Sequence, residues 1–155
     1  MWGSDRQRRE DADRERGAAA MATADGRFDE AERAARTALK LRERISDQET
    51  PAIAEDAVAL AKVLAARDSR AEANALYHRA LTIYRRYERQ YDAAGCLLGL
   101  ARLHADTEPA LSRERLQLAL WIKRAALGGI HPEVLEILDA MAEISGLSGT
   151  AAGCR

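Results

Sequence analysis

The chain has 155 residues, 32% of them charged, and a net charge of −1, so bulk electrostatics favour neither nucleic acid nor an anionic membrane as a partner. Aromatic residues make up 5% and alanine is abundant, a composition that favours closely packed helices.

No run approaches the roughly eighteen apolar residues of a membrane span, and the first ten residues lack the apolar core of a signal peptide. The two cysteines, Cys96 and Cys154, form no disulfide framework. A cytoplasmic location is therefore predicted.

The first predicted helices are separated by residues that favour turns and helix starts. Asp25 and Gly26 predict a tight turn between two helical stretches. Further along, Thr50 is a predicted N-cap, followed by Pro51 at the first helical position, where the missing N–H has no consequence. These signals place helix boundaries near residues 25 and 51.

The second half of the chain is divided in the same way. Ser69 precedes Glu72 by three residues, which is the spacing of a capping box. Pro109 marks a helix start, and Gly128 ends that helix before Pro132 begins the last one. Between these breaks, apolar residues recur at spacings of three and four. The predicted helices cover residues 6–24, 28–46, 51–66, 69–89, 91–105, 109–127 and 132–146.

One helix sequence is repeated at a fixed interval. The stretch "DEAERAARTALKLRERI", beginning at Asp29, returns 42 residues later as "AEANALYHRALTIYRRY", beginning at Ala71. A helix pair cannot bury its own apolar face, so such repetition indicates pairs that stack into one continuous core. The offset places Glu30 on Glu72, Ala31 on Ala73, Ala38 on Ala80, Leu39 on Leu81 and Leu41 on Ile83.

The pattern of large and small residues resembles the tetratricopeptide repeat, a helix–turn–helix unit. The junctions "TALKLRERISDQETPAIA" and "LALWIKRAALGGIHPEVL" are similar to the subtype of about 42 residues found in kinesin light chains and many bacterial repeat proteins. In the second pair the resemblance is carried by Leu60, Ala61, Leu64, Ala73, Tyr77 and Ala80.

The resemblance implies an all-α fold: a right-handed α-solenoid of about three helix pairs plus a capping helix. We expect a single repeat domain over residues 1–147, in which 1–16 is a charged leader or part of the first helix, and a flexible tail over 148–155. The last helix, 132–146, is expected to cover the open end of the array and face water on its other side. Its apolar half carries Val134, Leu135, Leu138, Met141 and Ala142.

In such arrays the first helices of the pairs line a concave groove that binds a partner. The predicted groove is apolar and basic in its middle, with an acidic end, and suits an amphipathic helix or a mixed apolar–acidic segment. The asparagines with which related repeats hold an extended peptide are absent at the matching positions. The groove positions implied by the resemblance are Glu55, Val58, Lys62, Ala65, Leu98, Arg102, Ala105, Asp139 and Glu143, with Arg16, Ala20 and Thr23 in the first repeat and Glu136 in the last helix.

Other chemistry is poorly supported. His78, His104 and His131 have no partners at metal-ligand spacing, and Cys96 with His104 makes a poor nucleophile–base pair, so no catalytic, cofactor or metal site is predicted. The tyrosine-rich stretch "YRRYERQY" is interpreted as packing rather than a nucleic-acid surface, because nearby carboxylates offset its arginines.

The sequence therefore predicts a non-catalytic adaptor or scaffold from a bacterial protein, which binds another protein or a peptide segment. Neither nucleic acid nor a membrane is expected as a partner, and the chain is expected to be a monomer or a weak homo-oligomer. The alternative is a peptide-responsive regulatory sensor, related to the repeat domains of bacterial signalling ATPases or transcription regulators.

Overall fold

The computed structural model describes the backbone of residues 2–152 and the side chains of residues 3–146. All the secondary structure within these residues is α-helical, without a strand, which confirms the predicted all-α class. The helices are α1 (Trp2–Ala24), α2 (Phe28–Ile45), α3 (Pro51–Ala66), α4 (Arg70–Arg86), α5 (Gln90–Leu103), α6 (Pro109–Leu127) and α7 (Pro132–Ala152).

Helices that follow each other in the chain pack as pairs. α1 packs on α2, α3 on α4 and α5 on α6, while α2 also contacts α3 and α6 contacts α7. The chain forms two compact units, Met1–Tyr87 and Glu88–Arg155, so that α1 to α4 belong to the first and α5 to α7 to the second. The predicted single domain over 1–147 stays a prediction. No helix of the described residues has the length and apolar character to span a membrane.

The 42-residue repetition of the sequence is also present in the backbone of the first unit. Gly26 and Asp68, 42 residues apart, both have a left-handed φ, +73° and +60°. The helices that follow begin at Phe28 and Arg70, again 42 residues apart. A backbone hydrogen bond of 2.8 Å closes each turn, from Arg27 to the carbonyl of Ala22 and from Ser69 to that of Leu64.

Several predicted boundary signals act as expected. Pro51, Pro109 and Pro132 each begin a helix, and the Thr50 side chain accepts a hydrogen bond of 3.4 Å from the Ile53 N–H. Because the missing N–H of proline would be unpaired in the first turn anyway, proline is well placed there.

Two predictions about the ends of α4 were wrong in detail. Ser69 makes no side-chain cap, because its turn is closed by backbone hydrogen bonds, and Glu72 pairs with Arg36 instead of completing a capping box. The structure ends α4 at Arg86 rather than 89, because Glu88 has a φ of +57°, which does not continue a right-handed helix.

The C-terminal helix is longer than predicted. α7 continues to Ala152, six residues beyond the expected end and into the predicted flexible tail. Glycines at 146 and 149 weaken a helix but do not end it, and no proline follows. The last three residues of the predicted tail, 153–155, lie outside the described residues.

Each second helix of a pair buries a small residue, a second residue four positions later and another small residue three positions after that. Small side chains at both ends of this pattern let two helix backbones approach closely. On the facing helix α3, Leu60, Ala61 and Leu64 are 2% exposed or less, as the repeat pattern predicted. The buried sets are Ala31, Ala35 and Ala38 in α2; Ala73, Tyr77 and Ala80 in α4; and Ser112, Leu116 and Ala119 in α6.

The turn at Gly26 gives a direct test of the backbone. Gly26→Ala is expected to lower the free energy of unfolding by about 1 kcal/mol, because a Cβ is disfavoured at positive φ although no atom lies within 4 Å of it. Gly17→Ala is the matched control, since this glycine lies in α1 with equally open surroundings, and there alanine should add up to about 1 kcal/mol. Urea unfolding measures both. Changes of the same sign would contradict the assigned turn.

Candidate functional site

The first-unit part of the predicted groove lies on one face of α3. Glu55, Val58, Lys62 and Ala65 follow each other at spacings of three and four residues, so the helix brings them together. Val58 and Ala65 are half-buried, whereas Glu55 and Lys62 are exposed. The face therefore combines two apolar residues, Val58 and Ala65, with a charged residue three positions before each of them.

One of the two charges on this face is already paired. Arg16 of α1 donates from Nη1 to Glu55 Oε2 at 2.6 Å. Lys62 makes no ion pair with the side chains of residues 3–146. The ammonium group of Lys62 is therefore the unpaired charge of the α3 face, and it lies beside the apolar Val58 and Ala65.

A buried ion network lies beneath this face and links α1, α2 and α3. Asp56 is fully buried, accepts from Arg42 Nε at 2.8 Å, and lies 3.3 Å from Arg16 Nη1. Arg42 also pairs with Asp13. Burial raises the pKa of the Asp56 carboxyl above its ordinary value, although the two guanidinium groups oppose that effect. The network fixes α1 against α3, so its role is structural.

Sequence reasoning missed this network. Asp56 follows Ile53 and precedes Leu60 within the apolar part of α3, and all three are buried. Its place in the sequence could have indicated that Asp56 is buried. Asp56 lies three residues after Ile53 and four before Leu60, and therefore on the same face of the helix. The charges of Asp13 and Arg16 in α1, which resemble a solvated leader, are explained by the same contact.

The second-unit part of the predicted groove is divided between α5 and α7. Leu98 is half-buried and Arg102 exposed on α5, and Asp139 and Glu143 are exposed on α7. Ala105 lies beyond the end of α5, so its expected place on the helix face was wrong. That helix ends at residue 103, in a turn closed by a hydrogen bond from the His104 N–H to Leu100 O.

The charge of Arg102 is also paired. Its Nη1 donates to Glu136 Oε1 of α7 at 2.8 Å, a contact between two first helices like that of Arg16 and Glu55. The basic character predicted for this part of the groove is therefore partly neutralised within the chain. That the α3 set and the α5–α7 set line one groove stays a prediction.

A second cluster outside the predicted groove holds the three helices of the second unit together. Lys123 of α6 is buried, donates to Glu133 Oε2 of α7 at 2.8 Å, and lies 3.3 Å from the ring centroid of Tyr91 of α5. The hydrogen bond to Glu133 raises the pKa of Tyr91, and the one from Lys123 lowers the pKa of Glu133. Its hydrogen bonds join groups of the protein to one another, so the cluster stabilises the fold.

Packing explains two of the four tyrosines, as expected, whereas Tyr87 and Tyr91 are 43% and 36% exposed. Tyr77 and Tyr84 are each 4% exposed, and the Tyr87 hydroxyl donates to the backbone oxygen of Glu49 at 3.2 Å. A depression on α4 nearby contains Arg79, whose guanidinium is bound to Glu49 and Glu43 at 2.7 Å. The residues lining it are Glu49, Ala75, His78, Arg79, Thr82, Ile83 and Arg86.

Among the described residues, no group of three or more histidine, cysteine, aspartate or glutamate side chains could hold a metal ion. No protein-family model matches the sequence, and no curated protein is significantly similar to it.

Proposed function

We propose that the chain is a non-catalytic protein–protein interaction module of a bacterial cytoplasm, built from tetratricopeptide-like helix pairs. It binds a partner segment on the exposed faces of its first helices. The observation that carries this proposal is the α3 face, where the unpaired ammonium of Lys62 lies beside half-buried Val58 and Ala65.

The charge and apolar surface of this face indicate which kind of partner segment it would bind. Because Glu55 is paired with Arg16, the face presents net positive charge at Lys62. A partner segment with aliphatic side chains and a carboxylate would cover Val58 and pair with Lys62. Arg102 contributes less, since it would have to leave Glu136 to bind a ligand.

Two features support the repeat architecture behind the proposal. The turns at Gly26 and Asp68 repeat at 42 residues with the same left-handed conformation. The buried small residues of α2, α4 and α6 recur with one spacing. These features suit a stacked array of helix pairs with the first helices on one side, which is the proposed right-handed solenoid.

A charge reversal on the α3 face tests the proposal. A tagged chain carrying Lys62→Glu should lose its main partner in affinity capture from the native lysate, because the new carboxylate repels an acidic segment. Lys40→Glu is the matched control: this lysine is exposed on α2 and makes no ion pair with a described residue. It should retain the partner.

The result is interpretable only if both variants keep the helical content of the parent in circular dichroism. Equal loss of the partner in both variants would indicate non-specific charge attraction. Retention in both would remove the α3 face from the proposal. The regulatory-sensor alternative rests on the resemblance alone.

A further inference from the structure

The last helix carries a second apolar face that the described residues cover only in part. Its buried face consists of Val134, Ile137, Ala140 and Ile144, not the stripe expected from the sequence. Of that expected stripe, Val134 is buried, Leu138 and Met141 are half-buried, Leu135 is 44% exposed and Ala142 is exposed.

The equivalent stripe is fully buried on the first helices α3 and α5. Aligning Ala61 of α3 and Ala101 of α5 with Ala142 of α7 also aligns the rest of each stripe. The α3 and α5 residues are at most 4% exposed, and each of these helices is packed by the second helix of its own pair. No helix follows α7 within residues 2–152. The aligned sets are Ala54, Ala57 and Ala61; Ala94, Leu97 and Ala101; and Leu135, Leu138 and Ala142.

The three existing pairs define what can cover such a stripe. The second helices α2, α4 and α6 all bury a small residue, then a residue four positions later, then another small residue three positions after that. A helix with this pattern can approach α7 as closely as α4 approaches α3.

The charge next to this face specifies the partner further. In the first unit, Arg79 of α4 lies directly before the second small residue, Ala80, and pairs with Glu43 of α2 at 2.7 Å. Aligning the small residues of α2 and α6 places Arg124 at the position of Glu43. Arg124 is exposed and makes no ion pair with a described residue. A helix beside α6 and α7 would therefore need a carboxylate where α4 has Arg79.

We propose that the α7 face, formed by Leu135, Leu138 and Ala142, binds an amphipathic helix of a partner protein in the place of a second helix. The partner helix carries two small residues seven positions apart and a carboxylate directly before the second, which pairs with Arg124. This inference rests on the proposed interaction function and adds a second surface, with its own partner chemistry.

A pair of peptides derived from α4 tests it. The probe is a fluorescein-labelled peptide of residues 70–87 with Arg79→Glu, and its matched control is the same peptide with arginine retained. We expect the full chain to bind the probe at least about tenfold more tightly than the control in fluorescence anisotropy. Arg124→Glu in the full chain should reverse that preference.

Two variants with matched exposure locate the site. Leu135→Glu should weaken probe binding by about tenfold or more, because it places a charge in the apolar contact. Leu118→Glu on α6 should leave it unchanged, since Leu118 is also 44% exposed but lies outside the proposed face. Circular dichroism confirms that both variants remain folded.

Three results would overturn the inference: no saturable binding of the probe, equal binding to the Leu135→Glu chain, or equal binding of both peptides. Self-association of the parent in analytical ultracentrifugation that is lost in Leu135→Glu would identify a second copy as the occupant, and would overturn it as well. Lys62→Glu should not alter probe binding. If the peptide does not bind but the Lys62→Glu chain still loses its partner from the lysate, this inference fails and the proposed function stands.

Discussion

Asp56→Ala is expected to lower the free energy of unfolding by about 3 kcal/mol. The substitution leaves the Arg42 guanidinium in a buried position without the carboxylate that accepts from its Nε at 2.8 Å. It also removes a partner of Arg16, which holds α1 against α3. Urea denaturation followed by circular dichroism measures the change.

Glu55→Ala is the matched control, because Glu55 is the adjacent residue on α3 and pairs with the same arginine. Its side chain is 46% exposed, so its ion pair is screened by water and should contribute less than about 1 kcal/mol. If Asp56→Ala also cost less than about 1 kcal/mol, the Asp56 network would contribute no more to stability than an exposed ion pair.

A double variant separates the net contribution of the Arg42–Asp56 pair to stability from the cost of removing only one of its partners. Burial raises the pKa of the Asp56 carboxyl, because desolvation penalises its charged form. Arg42→Leu combined with Asp56→Ala removes both buried charges and should therefore recover most of the loss seen in Asp56→Ala. A double variant less stable than Asp56→Ala would show that Arg42 contributes by contacts other than this pair.

The helix boundaries could be predicted because they depend on local chemistry. Pro51, Pro109 and Pro132 begin their helices, and Gly26 and Gly128 provide the left-handed turns, all within a few residues of the signal itself. The 42-residue repetition depends on the same local chemistry, and it reappears at Asp68, where no glycine marks the turn.

The charged contacts could not be predicted, because they depend on how helices are aligned in space. Arg16 meets Glu55 and Arg102 meets Glu136 across more than thirty residues of sequence, so periodicity alone presents these groups as available to a partner. Asp56 was missed for a related reason, since a carboxylate in an apolar helix is ordinarily assigned to solvent.

The buried face of α7 could not be chosen from the sequence because both of its stripes are apolar. The one containing Ile137 and Ile144 is buried, while the one containing Leu135 remains exposed. A helical wheel ranks such faces by hydrophobicity, whereas the fold selects the one that a neighbouring helix reaches. That difference matters for the proposal above, because the unselected face is the one proposed to bind a partner helix.

Ala80→Leu is expected to lower the free energy of unfolding by about 2–3 kcal/mol. Ala80 is completely buried in α4 and belongs to the small-residue set that accompanies close packing of that helix on α3. Leucine adds three carbon atoms at a site closed to solvent, so we expect the helices to separate or the leucine to adopt a strained rotamer. Urea denaturation of the variant and the parent under identical conditions measures the loss.

Ala75→Leu provides the control, because Ala75 lies on the same helix with its side chain exposed. Leucine and alanine differ by only a few tenths of a kcal/mol in helix propensity, so this variant should resemble the parent. The difference between the two variants thus isolates packing from helix formation. If Ala80→Leu were as stable as Ala75→Leu, α3 and α4 would not need a small residue at this contact. The repeat architecture behind the proposed interaction module would then lose its main physical support.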